Sequence, residues 1–354
     1  LRSILSAFIF LIGTSPLTFA DTPDVLAHAP ACELVIYTYD SIAGKGGLGP
    51  KIFPAFEQST GCKVRVLASG DAVQTLGRVE IDSKRGHGVG DLILGVDPLL
   101  WDRVFPLVNS ANFLSKNSDL SSQLVPAVRE VATDYAGLVP YDFGSLALMA
   151  DSAALSKASL QIPHSLRDLN QPEWKKNIIL EDPRTSSPGL EFVLFTKKVL
   201  GADFSDFWKK LRSQWLAMPP GWDDAYGLFL KGQAPLVWSY MTSQAYHQMH
   251  ASGTEGGPAR YRAVTFSEGQ PLQVEGAVLL KNAPHTQLAE KFLNYLLSDS
   301  VQSQIATTNW MWPARDGVSV PDAFRNLPKP LATFVLSGKD RTKIIKEWSE
   351  AIHE

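Results

Sequence analysis

From residue 33 onward, short runs of β-branched and aromatic residues alternate with amphipathic helical stretches, a pattern that folds as a parallel sheet with helices on its faces. Residues 34–39 read as a strand, 50–59 as a short helix, 63–67 as a strand, 71–83 as a capped helix and 91–95 as a third strand. Leu138-Val139-Pro140-Tyr141-Asp142-Phe143-Gly144, continuing to Met149, is apolar but broken by turn residues and reads as a crossover. A second α/β stretch follows, with strands at 178–180 and 236–240 and helices at 189–200, 203–214 and 223–231. Residues 266–276 read as the return crossing, 277–280 as a short strand and 285–297 as an amphipathic helix packed back on the first unit. The expected architecture is therefore α/β with two lobes: residues 33–140 with 277–354, split around 141–276 including the crossovers. No internal sequence repeat is found. A ligand cleft between the lobes is the natural site.

Two lobes also suit 354 residues, which exceed what one hydrophobic core usually serves. Lys plus Arg number 33 against 36 for Asp plus Glu, a net charge of −3, so the basic excess of a nucleic-acid binder is missing. Residues 1–20 begin with a basic Leu1-Arg2, continue through an apolar run and end in small residues, which predicts a signal peptide cleaved after Ala20. Gly13, Ser15 and Pro16 interrupt the run, leaving it too short for about 30 Å of hydrocarbon. An exported, periplasmic protein is expected. Cys32 and Cys62 each stand just before a predicted strand. If those strands are parallel neighbours, an oxidising compartment permits a bridge, which is the expectation; two free thiols are the alternative.

Gly44-Lys45-Gly46-Gly47-Leu48-Gly49 matches a dinucleotide fingerprint by spacing, but Asp40-Ser41-Ile42-Ala43 separate it from its strand and Pro50 follows it. It reads instead as a loop at the carboxyl end of a strand, where α/β sheets place ligands. Neither a nucleophile elbow nor a zinc or P-loop signature occurs, so no enzyme activity, metal or cofactor is expected. Aromatic residues instead cluster beside turns: Tyr37 and Tyr39, Trp222, Tyr240, Tyr246, Trp310 and Trp312. Each alone is ordinary core material; together they form a candidate aromatic box for a flat or cationic ligand. Asp71 and Asp223 are candidate sources of negative charge. Asp71-Ala72-Val73-Gln74 has capping-box spacing too, and both roles remain open for Asp71. Thr185-Ser186-Ser187-Pro188-Gly189 reads as a helix start with Ser187 at the N-cap, either an ordinary cap or an anion site.

These residues resemble the periplasmic thiamine-binding proteins of bacterial thiamine ABC importers. The likeness rests on Tyr37-Thr38-Tyr39-Asp40-Ser41, Asp182-Pro183-Arg184-Thr185-Ser186, Gly221-Trp222, Ser239-Tyr240, Phe266-Ser267-Glu268-Gly269 and Asn309-Trp310-Met311, in order over residues 34–315. The resemblance implies a type II periplasmic-binding-protein fold whose lobes close on thiamine, thiamine monophosphate or thiamine diphosphate. It implies a monomer delivering its ligand to a membrane permease. By motif position it puts Tyr39, Asp71, Trp222, Tyr240, Tyr246 and Trp310 near the ligand rings, and Ser186 and Ser187 near the phosphate end. Where the family carries an Asp-Trp-Gly-x-Gly-Pro loop, Gly46 replaces the tryptophan. Lys45 and the Gly46 backbone are accordingly expected to approach a phosphate. The other readings are a two-lobe binder of iron or a polyamine, and an exported hydrolase.

Overall fold

The computed structural model describes residues 32–85, 90–109, 112–250 and 257–353; the expected leader and its cleavage after Ala20 lie outside the described residues. Strand β1 (Glu33–Thr38) is buried beyond its first residue, because helices α1 (Gly49–Thr60) and α2 (Ala72–Arg85) supply Ile52, Phe56, Leu76 and Val79 to the same core. It pairs in parallel with β2 (Lys63–Ala68) on one side and β3 (Leu92–Val96) on the other. The register sets Glu33 opposite Lys63. Cys32 and Cys62 are thereby side by side, and they form the expected disulfide with Cα atoms 4.9 Å apart.

The crossover is one strand of 14 residues, β4 (Leu138–Asp151). Beyond it lie β5 (Ile178–Ile179), helices α3 (Ser187–Leu200) and α4 (Phe204–Leu211), and β6 (Trp215–Ala217). Then come α5 (Trp222–Leu230), β7 (Leu236–Tyr240), α6 (Thr242–His250) and β8 (Tyr261–Val264). The return crossing and the short strand expected after it are one continuous strand, β9 (Gln270–Leu279). Its Pro271 and Gly276 do not break it.

A single twisted sheet runs β2-β1-β3-β9-β4-β7-β5-β6 through both lobes. It is mixed rather than purely parallel, because β9 runs antiparallel to both β3 and β4, and β4 antiparallel to β7 and β8. The first half of β4 pairs with β9 and the second half with β7, so two adjacent strands form the bridge between lobes.

Helices α7 (Thr286–Leu296) and α8 (Asp299–Thr308) lead into β10 (Trp312–Pro313), which pairs with β4. Phe292 of α7 meets Phe56 edge-on at 5.2 Å, joining that helix to the first lobe. The last helix, α9 (Arg341–His353), departs from the expected division. Trp348 packs edge-on against Trp208 at 6.0 Å and Lys197 pairs with Glu347 at 2.7 Å, so its body rests on α3 and α4 of the second lobe. That cover explains why α3 is buried nearly all round.

Candidate functional site

A cavity of about 700 Å³ lies between the lobes, within the range of small-molecule sites. Tyr39 enters it from the end of β1, where its hydroxyl donates to Glu275 Oε2 at 2.7 Å; Tyr141 donates to the same oxygen at 2.9 Å. Opposite, Trp222 opens α5. Its indole N–H donates to Ser239 Oγ at 2.8 Å, and its ring stacks on Tyr226 with centroids 4.9 Å and planes 18° apart. Tyr240 meets Trp222 at 6.2 Å and 63°. Across the mouth, Trp310 from the first lobe meets Tyr246 from the second edge-on at 4.8 Å.

The charge of the lining is one-sided. Asp40, Asp71, Asp223, Asp224 and Glu275 contribute to it, and among the described residues no lysine, arginine or histidine does. Burial pushes the Asp71 carboxyl up, against the N–H donors that favour its ionised form. Burial also raises Asp223, with the neighbouring Asp71, Asp40 and Asp224 carboxylates adding to the effect. Glu275 is raised by burial while its two tyrosine donors oppose the shift. Carboxylates crowded this way attract a cation and repel an anion.

The model for bacterial extracellular solute-binding proteins matches residues 91–341. The chain belongs to that family. It is 37% identical over 336 residues to the thiamine-binding periplasmic protein of Brucella abortus biovar 1 (strain 9-941), covering 92% of this chain and 95% of the relative. To that of Escherichia coli (strain K12) it is 36% identical over 323 residues, covering 90% and 93%. A solved periplasmic thiamin binding protein superposes with a TM-score of 0.79 at 34% identity, covering 90% of this chain and 96% of the other. The type II periplasmic-binding-protein fold expected from the sequence is therefore the fold of this chain.

In this solute-binding protein most of the expected residues converge: Tyr39, Asp71, Ser187, Trp222, Tyr240, Tyr246, Trp310 and the backbone of Gly46 all line the cavity. Ser186 and Lys45 do not, and neither do Tyr37, buried with its hydroxyl donating to Asp82, nor Trp312. Ser186, rather than Ser187, is the N-cap of α3; its hydroxyl accepts from Gly189 N–H at 3.3 Å and donates to buried Glu181 at 3.1 Å. Lys45 is exposed, and its loop presents glycines 44, 46 and 47 to the cavity instead.

Asp71 keeps both readings open, a helix cap and a charge in the cavity lining. Gln74 accepts from its N–H at 2.9 Å, one arm of a capping box, while its own Oδ1 accepts from Ala72 N–H at 2.6 Å. The same oxygen accepts from Ser187 N–H at 3.1 Å and Ser187 Oγ at 3.3 Å, across the lobes. The positive end of α3 is thus met by the protein's own carboxylate. Glu275, Tyr226 and Gln74 also line the cavity, outside the set expected from the sequence. A lone acid inside the apolar run Leu272–Leu280 was the available signal for Glu275.

Proposed function

We propose that this solute-binding protein captures thiamine in the periplasm and delivers it to the membrane permease of an ABC importer, with no covalent chemistry of its own. The observation that carries this reading is a cavity walled by tyrosine and tryptophan rings and lined, among the described residues, by five carboxylates and no basic side chain. Thiamine carries two flat aromatic rings, one of them a cationic thiazolium, joined by a methylene. A ring face attracts a cation by roughly 0.5 to 2 kcal/mol, and the carboxylates of the lining add to that attraction. The names of the relatives and of the superposed structure point to the same ligand. Free thiamine is the preferred form in this reading, with the monophosphate and diphosphate esters weaker, because a phosphate would enter an acidic lining without Lys45.

Titration of the purified protein with thiamine is expected to change tryptophan emission saturably, through Trp222 and Trp310. Thiamine recovered intact after hours with the protein is the expected result against a hydrolase. Saturable binding of spermidine or ferric ion with no response to thiamine would overturn the assignment.

A further inference from the structure

Trp310 stands in an unusual backbone position. Helix α8 ends at Thr308 with Asn309 as its C-cap, and Trp310 follows at φ +55°, the left-handed place that glycine normally fills. A bulky residue persists there only when its surroundings over-determine it. The ring itself meets Tyr246 and His250, and the residues flanking it on both sides are held by the crossover strand. Asn309 Nδ2 donates to Asp142 Oδ2 at 2.5 Å, β10 pairs Trp312 with Phe143 and Pro313 with Asp142, and Ala314 N–H donates to Tyr141 O at 3.1 Å. On the same strand Gly144 leaves room for Met311, whose sulfur would lie 2.8 Å from a Cβ added there.

Asp142 is wholly buried beneath the cavity wall, outside the lining, and its Oδ1 has no hydrogen-bond partner. We propose that Asp142, acting through Asn309, is the positioning residue for Trp310, so that the bridge between the lobes sets where the indole stands at the cavity mouth. Bending of β4 as the lobes move is thereby transmitted to an aromatic wall of the site. Burial together with the nearby Glu275 carboxylate holds the Asp142 carboxyl well above the usual range, so an uncharged asparagine is a close substitute for it.

The test replaces all nine tryptophans with 5-fluorotryptophan and assigns the Trp310 fluorine resonance by Trp310→Phe. Asn309→Ala and Asp142→Leu are expected to move and broaden that resonance, leaving buried Trp208 and Trp238 in place; Asp142→Asn should retain it. Thiamine affinity, which rests on the function proposed above, should fall about tenfold in Asn309→Ala and no further when Trp310→Ala is already present. An unmoved Trp310 resonance in Asn309→Ala overturns the proposal whatever thiamine does, as would equal shifts at Trp208 and Trp238. A Trp310 signal that depends on Asn309 in a protein that ignores thiamine supports the positioning role and overturns only the ligand.

Discussion

Trp222 and Tyr39 are oriented by hydrogen bonds to Ser239 and Glu275, one in each half of the site. Their polar atoms are thus satisfied, and the rings are available for stacking. Trp222→Ala should therefore weaken thiamine roughly ten- to thirtyfold in calorimetry, while Trp222→Tyr keeps most of the affinity; equal affinities for wild type and Trp222→Ala would remove Trp222 from the site. Lys45→Ala should leave thiamine and both phosphate esters unaffected, with thiamine the tightest of the three. A selective loss of the esters would restore a phosphate contact for Lys45. Buried Asp97 gives a pH signature. Its Oδ1 accepts from Leu99 N–H at 2.6 Å, Oδ2 has no partner, and burial pushes the carboxyl up to about 7. Between the ordinary carboxylate range and about pH 7 the folded chain keeps this proton and the unfolded chain has lost it. Stability contributed by that proton is full below the window and lost as pH rises through about 7. Asp97→Asn should show a smaller fall in urea midpoint from about pH 5 to about pH 8; the same fall as wild type would show that other groups govern it. The aromatic half of the site was legible because tyrosines and tryptophans beside turns are conspicuous. The buried acids were less so: Asp142 and Glu275 sit in strands covered on both faces, where hydrophobic alternation vanishes and a lone acid in an apolar run is the one mark left.

At the scale of elements, two constraints bear on the cavity, the first of them on β1 and β2. Their common start is closed by the Cys32–Cys62 bridge across a separation of 30 residues. Reduction should cost about 3 to 4 kcal/mol in the chain-entropy model, read as a lower urea midpoint with reductant. Alkylation of both thiols in unreduced, exported protein would overturn the pairing. The second constraint is Gly95, at φ +97°, in the register shift of β3 against β9. A Cβ there would lie 2.2 Å from the Tyr39 ring. Gly95→Ala should destabilise by about 1 to 3 kcal/mol and weaken thiamine by displacing Tyr39; an unchanged melting temperature would mean the backbone absorbs the group. The first three strands and their helices were readable because each is short, periodic and bounded by turn residues. β9 was read as two pieces since Pro271 and Gly276 are strand-breaking signals, yet pairing with β3 and β4 overrides local propensity. The place of α9 depends on contacts such as Trp208 with Trp348, far apart in sequence, which no local pattern encodes.

For the whole molecule, two crossover strands bridge lobes that also meet across the cavity. Among these contacts are the edge-on Trp310–Tyr246 and Trp310–His250 pairs and Asp71 receiving the N–H and hydroxyl of Ser187. The two-lobe plan was legible because one α/β run interrupts another, but not this meeting, which joins residues separated by 116 positions. Asp71 combines two properties that substitution can separate: an acceptor oxygen, which holds Ser187, and a negative charge, which attracts a cation into the lining. Asp71→Asn keeps the oxygen and loses the charge, whereas Asp71→Ala loses both. In solution scattering without ligand, Asp71→Ala should give a larger radius of gyration than wild type, and Asp71→Asn should not. Both variants should bind thiamine more weakly, with Asp71→Ala the weaker because closure must proceed without the link. Saturation of wild type at about 100 times the dissociation constant should stabilise it by about 2.7 kcal/mol. The scattering result separates the two properties: equal dimensions for Asp71→Ala and wild type would leave Asp71 a charge in the lining and a cap on α2, with no part in holding the lobes together.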